Sequence, residues 1–186
     1  LAGFGLWATF SETLTKCMSA VSGNKALLTF PQVTPLDLML SRTVVVWGTQ
    51  LSSGCVITGI AAFCGTSLYV SDWTGLFAAF LLTPLLGLGC GMLCASLAIF
   101  WPTLEKIVPI LFFASGIFFS VSMFPKNIAD ILLLNPVMQL IELLRQSLSR
   151  GYVAPTYDYL YIVAFCVVSL CLGGLLERYA RKRAEQ

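Results

Sequence analysis

The chain has 186 residues, 58% of them hydrophobic and 11% charged, with a mean hydropathy of +0.86. Soluble domains carry about 25% charged residues, so a water-soluble enzyme, a nucleic-acid binder and a disordered tail are excluded. The composition is that of an all-α, polytopic helical membrane protein. The net charge of +2 comes mostly from a basic C-terminal tail and bears on orientation rather than on ligand choice. Histidine is absent, which removes the commonest metal ligand and the usual general base near neutral pH. The seven cysteines (17, 55, 64, 90, 94, 166 and 171) lie mostly in apolar runs with no CxxC spacing. They are expected to be small buried hydrophobes, with no metal site.

At about 20 residues per span, the chain has room for five or six spans with short connections. Residues 1–20 begin apolar (LAGFGLWATF) and end polar (SETLTKC), with Glu12 and Lys16 one helical turn apart. They predict a span whose C-terminal end leaves the lipid, the two charges satisfying each other there. Residues 22–42, broken by Gly23, Asn24, Pro31 and Pro35, are too polar to span and too apolar for a free loop, so an interfacial helix-turn element is expected. A second span is predicted over about 43–65, and a third over about 75–100. The third holds Pro84 and the cluster GLGCG, in which Gly87 and Gly91 have the GxxxG spacing that lets another helix approach closely. The turn WPTLEK leads to a fourth span over 105–123, and a fifth covers 159–176 before the tail ERYARKRAEQ.

The segment 126–150 is apolar enough to tempt a sixth span, but Glu142 and Arg145 near its centre would each cost a few kcal/mol at mid-bilayer. Asn135-Pro136 fits a helix cap followed by a first-turn proline. Beyond it Gln139, Glu142, Arg145 or Gln146, and Ser149 form one face, opposite Val137, Leu140, Ile141, Leu144 and Leu148. Two half-helices, about 126–134 and 136–150, are expected to dip in and return to the same side. With the tail inside, Lys16, Lys25, Arg42, Lys106, Arg178, Arg181, Lys182 and Arg183 face the cytoplasm, eight against three outside (Lys126, Arg145 and Arg150). This makes the C-terminus cytoplasmic, the half-helix pair periplasmic and Leu1 external. With no initiating Met, a sixth, preceding span is expected.

No nucleotide-binding loop, nucleophile elbow, HExxH or carboxylate pair within a span occurs, so the chain is expected to be no enzyme and to bind no cofactor itself. Few intramembrane charges argue against an ion-coupled carrier and for an energy source on a partner. Three features suit transport. The inner element 22–42 and the turn at 101–106 could seat a soluble motor through Lys25, Pro31, Asp37, Arg42, Glu105 and Lys106, although ordinary interfacial connections look the same. Aromatic rings can stack on sugar C–H faces; Phe112 and Phe119, seven apart and on one helix face, with Trp7 and Tyr159, are the candidate pathway set. Phenylalanine in a span is more often lipid-facing or packed. The outer half-helices, with Asn135, Pro136, Glu142 and Arg145, are a candidate gate, the alternative being a re-entrant packing element.

The run 100–152 resembles the corresponding stretch of ABC-2 type permeases that export capsular polysaccharide. The likeness rests on an ordered set: Phe124-Pro125, Asn135-Pro136, Glu142, Arg145 and Gly151-Tyr152. GNKALLTFPQVTPLDLMLSR is similar to that family's first cytoplasmic loop, and the basic tail also fits. The resemblance implies a bacterial inner-membrane subunit, here N-terminally truncated, that forms a homodimer and binds two ABC ATPase subunits. These hold ATP and Mg and drive a lipid-linked polysaccharide from cytoplasm to periplasm. A periplasmic co-polymerase or adaptor and an outer-membrane channel would receive the polymer. Export of another lipid-linked polymer (O-antigen or teichoic acid), or a membrane channel or scaffold without ATP coupling, are the alternatives.

Overall fold

The computed structural model of the chain describes residues 2–24, 32–65, 70–98, 123, 125–148 and 158–184. Among these residues there is no strand, and the helices are α1 (Ala2–Met18), α2 (Ala20–Gly23), α3 (Pro35–Phe63), α4 (Trp73–Ala98), α5 (Lys126–Leu132), α6 (Pro136–Leu148) and α7 (Tyr159–Ala184). The architecture is all-α and polytopic. Three of the described helices are long and apolar enough to cross a membrane: Pro35–Phe63, Trp73–Ala98 and Tyr159–Tyr179. Helix α1, with 17 residues, is about 25 Å long. The span expected over 105–123 lies outside the described residues apart from Met123.

Local chemistry starts these helices. Thr34 and Asp37 form a reciprocal capping box, the Asp37 amide donating to the Thr34 hydroxyl and the Thr34 amide donating to the Asp37 carboxylate at 2.9 Å. Pro35 follows in the first turn, where its missing N–H loses nothing. Helix α3 therefore begins at Pro35, ahead of the span expected from 43, and the second half of the element 22–42 forms its first turns. Asp72 does the same for α4, accepting from the amides of Thr74 at 3.0 Å and Gly75 at 3.1 Å. Inside α4, Pro84 has no amide to give the carbonyl of Phe80, and the indole of Trp47 donates to that oxygen instead, at 3.1 Å.

The glycine cluster of α4 works on two faces. A Cβ at Gly91 would lie 2.6 Å from Cβ of Cys17, and one at Gly87 would lie 3.0 Å from Cβ of Thr13, so α1 crosses α4 where neither has bulk. Gly89 points the other way, where a Cβ would meet the Ser169 hydroxyl and the backbone nitrogen of Leu170 on α7. Residue numbers rise together along these contacts, so α1, α4 and α7 run parallel. Helix α3 runs against them: Cys17 meets Met39 and Thr43, while Glu12 meets Gln50. The N-terminal ends of α1, α4 and α7 thus share one pole of the bundle with the end of α3. Leu6, Phe10 and Leu14 of α1, Leu86 of α4, Leu140, Ile141 and Leu144 of α6, and Ile162 of α7 form the main core. A second cluster at the far pole joins Cys17, Ala20, Leu38, Met39 and Met92.

The outward face of α7 is apolar, with Val167, Leu172 and Leu175, and that of α3 carries Val45, Ile57, Ile60 and Phe63 among exposed Thr49, Ser52, Ser53 and Thr58. The apolar side chains suit contact with acyl chains. All seven cysteines are free thiols. Cys17 and Cys166 are buried as expected, but Cys55, Cys64 and Cys171 are exposed, because they lie on helices whose surroundings would be lipid rather than protein.

Candidate functional site

The half-helix pair α5–α6 sits at the pole shared by the starts of α1, α4 and α7. Ile141 lies against Gly3 of α1, and Leu143 and Ser147 lie against Gly75 of α4. Helix α6 has 13 residues, about 20 Å, too short for a hydrocarbon core of about 30 Å. Its start is set by Asn135, whose side-chain oxygen accepts from the Val137 amide at 3.0 Å, with Pro136 as the first helical residue. At its C-terminal end the Ser147 carbonyl, left without an intrahelical donor, accepts from the Ser71 amide at 2.7 Å. The end of α6 is thereby fixed to the loop that opens α4. In that loop the Thr74 hydroxyl, then the Gly75 amide, hold the Asp72 carboxyl below its usual range.

Both faces of α6 are inside the protein. Val137, Leu140, Ile141 and Leu144 enter the core, yet Gln139 is only 6% exposed and Glu142 is fully buried. The polar side is buried because it is partnered. Gln139 Nε2 donates to the Leu133 carbonyl at 2.6 Å, closing the turn between α5 and α6, while its Oε1 accepts from the Asp158 amide at 3.1 Å. Tyr161 adds a second tie, its hydroxyl donating to the Leu134 carbonyl at 2.7 Å. Arg145 donates to Glu142 Oε1 at 3.0 Å and keeps 24% of its own side chain exposed. A buried carboxylate with an ion partner is tolerated where an unpartnered one would not be.

Beneath the start of α6 lies a cavity of about 140 Å³, lined by Trp7 and Phe10 of α1, Leu86 of α4, Phe165 of α7, and Asn135 with Pro136. Its wall is almost wholly apolar, and Trp7 and Phe10 are tilted against each other with ring centroids 5.7 Å apart. Of the expected aromatic set, Trp7 is 6% exposed and belongs to this core, whereas Tyr159 is half-exposed at the start of α7. Phe112 and Phe119 lie outside the described residues. Asn135 and Pro136 open α6 and line this cavity, while Glu142 and Arg145 pair with each other about two turns further along the helix.

At the opposite pole, Asp37 is held in the capping box of α3, and Arg42 reaches the end of α1, donating to the Lys16 carbonyl at 3.2 Å and to the Ser19 hydroxyl at 3.2 Å. A cation on the terminal carbonyls of α1 is favourable to the helix dipole. Lys25, Pro31, Glu105 and Lys106 lie outside the described residues. Among the described residues no cluster of His, Cys, Asp and Glu could hold a metal ion. The sequence places Gln139 on the polar face of α6 but does not show that it and Tyr161 meet the same turn, and Asp158 is missed altogether. The signal was there: an aspartate directly before the apolar run from Tyr159, whose carboxylate accepts from the Leu160 amide at 2.9 Å.

No family model matches the chain. Curated relatives do. It is 25% identical over 173 residues to the polysialic acid transport protein KpsM of Escherichia coli, a match covering 91% of this chain and 67% of that protein. A second E. coli KpsM sequence matches to the same extent. The capsule polysaccharide export inner-membrane protein CtrC of Neisseria meningitidis serogroup B is 24% identical over 179 residues, covering 94% of this chain and 67% of CtrC.

Proposed function

We propose that the chain is one of the inner-membrane proteins of capsule polysaccharide export, the permease subunit of an ATP-driven ABC exporter. It carries lipid-linked capsular polysaccharide from cytoplasm to periplasm and hydrolyses no ATP itself. ATP and Mg belong to two partner ATPase subunits, and two copies of the chain enclose the path. A periplasmic co-polymerase or adaptor and an outer-membrane channel take the polymer onward. The observation that carries this reading is the alignment of more than nine-tenths of the chain with a polysialic acid transport protein and a capsule polysaccharide export protein. The fold agrees with it: a bundle of apolar helices with a short helix, α6, whose start is tied to Asp158 before α7 and whose end is tied to Ser71 before α4.

In this reading the pole of α5–α6 is periplasmic and the pole of Thr34, Arg42 and the basic tail is cytoplasmic. Asp37 and Arg42, with Lys25, Pro31, Glu105 and Lys106, meet the ATPase. Because Arg42 also tethers α1 to α3, Arg42→Lys is the informative substitution and Arg42→Ala would disturb the pole itself. The test is complementation of a capsule-negative strain lacking its permease, using the complete gene and affinity capture of the ATPase. Restored surface polymer with ATPase in the captured complex is expected. A stable membrane protein that captures no ATPase and restores no capsule would refute the proposal.

A further inference from the structure

The polar contents of α1 do not leave the membrane at its end. Thr13 is level with Gly87 of α4, which lies about 21 Å from Trp73 and about 16 Å from Ala98 along that helix. Glu12, its neighbour, accepts a hydrogen bond from Gln50 at 3.0 Å, and Gln50 lies near the middle of α3. Two helices independently place Glu12 near mid-depth. Its carboxylate is 2.7 Å from the Lys16 ammonium, and the two side chains are 36% and 41% exposed. Ala8, Ser11, Thr15 and Ser19 continue the same stripe one turn at a time, all of them at least partly exposed. At this depth the outward face of α7 is apolar, with Val167, Val168 and Leu172, while α3 carries exposed Thr49, Ser52 and Ser53 beside Gln50. An ion pair half open at that depth is strongly unfavourable against hydrocarbon, and such groups face a water-filled space or a polar occupant.

We propose that this α1 stripe, centred on Glu12, Lys16 and Gln50, is a wetted wall of the export path and takes the hydroxyl-rich polymer chain. The inference rests on the exporter reading and deepens it. Lys16 offers donors and Glu12 acceptors to passing hydroxyls, and the pair carries no net charge that would trap an anionic chain. The Ser11 and Thr15 hydroxyl protons are committed to the Ala8 and Ser11 carbonyls, so these oxygens meet the polymer as acceptors. Contacts of this kind are individually weak and repeat along the helix, which suits a chain that must slide.

The test is thiol accessibility in the full-length protein, in membranes with its ATPase, after Cys55, Cys64 and Cys171 are replaced by Ser. Single cysteines are placed at Ser11 and Thr15, with Ile57 and Leu172 as apolar-face controls, and A8C stands in if either stripe variant fails to assemble. A charged, membrane-impermeant methanethiosulfonate is the probe, with polymer synthesis on and off. S11C and T15C are expected to react at least tenfold faster than I57C and L172C, and to slow several-fold while polymer is in transit. Rates as slow as those of the controls overturn the proposal, because the stripe is then sealed by protein or lipid. Fast labelling that polymer transit leaves unchanged also overturns it, since the space is wet but is not the path. Neither result touches the exporter reading, which the capsule assay judges separately.

Discussion

Replacing Trp47 with Phe isolates one hydrogen bond whose need is created by a proline on another helix. Pro84 leaves the Phe80 carbonyl without its intrahelical donor, and Trp47 Nε1 supplies one at 3.1 Å across the α3–α4 contact. In a bilayer no water replaces it. An acceptor stranded in this way costs about 1–3 kcal/mol, while the ring of Phe retains most of the apolar contact. In a Pro84→Ala background the restored amide at position 84 can donate to the same carbonyl, and Trp47→Phe should then cost less than about 0.5 kcal/mol. The double-mutant cycle should therefore show a coupling of about 1–2 kcal/mol, well within the range seen for residues in contact. Reversible unfolding in bicelles, by steric trapping or by thermal midpoint, measures all four variants under one condition. An equal cost of Trp47→Phe in both backgrounds would refute the argument, because the indole would then act through packing alone.

Gly91→Ala places a methyl 2.6 Å from Cβ of Cys17, which no rotamer change relieves, and should destabilise by about 1–3 kcal/mol, whereas Gly59→Ala, with nothing within 4 Å, should be neutral or stabilising. Cys17→Gly should recover part of the Gly91→Ala loss in thermal midpoint. Gln139→Leu strands the Leu133 carbonyl and the Asp158 amide together, a loss of about 2–3 kcal/mol. Hydrogen exchange at the Asp158 amide should accelerate while exchange in the interior of α7 is unchanged. The Asp72 carboxyl is held below its ordinary value of 3.8 by hydrogen bonds from Thr74 and Gly75. Its folded pKa is depressed, so the cap's contribution is complete above the unfolded pKa and is lost as pH falls through the folded value. Exchange of the Thr74 and Gly75 amides should therefore rise relative to Asp72→Asn on acidification below about pH 4, and identical profiles would remove Asp72 as the cause.

Much of the bundle could be read along the chain because its determinants are local. GLGCG announced a close helix approach, and α1 makes it at Gly87 and Gly91. Glu12 and Lys16, four apart, form the ion pair their spacing allows. Asn135-Pro136 marked the start of α6, and the structure begins that helix at Pro136. Helix α3 starts earlier than its apolar run from 43, because Thr34 and Asp37 have the three-residue spacing of a capping box and Pro35, a breaker elsewhere, is a helix starter in that setting.

What stayed hidden was the answer to each local deficit. Pro84 shows in the sequence that a carbonyl four residues earlier lacks its amide, but nothing along the chain says that Trp47 supplies the donor. The amphipathic pattern of α6 is plain, yet it suggests a helix with one outward face. Burial of Gln139 and Glu142 becomes affordable only when Leu133, Asp158 and Arg145 converge on them. Gln50 is invisible as a partner of Glu12 for the same reason, lying on a helix that runs the opposite way. In a bilayer an unmatched polar group has no solvent to fall back on, so long-range pairs of this kind are obligatory rather than ornamental. The polar residues least explained by their own helix are therefore where the topology of the bundle is fixed. Where such residues stay half open, as Glu12 and Lys16 do, the same reasoning requires that what lies opposite be polar.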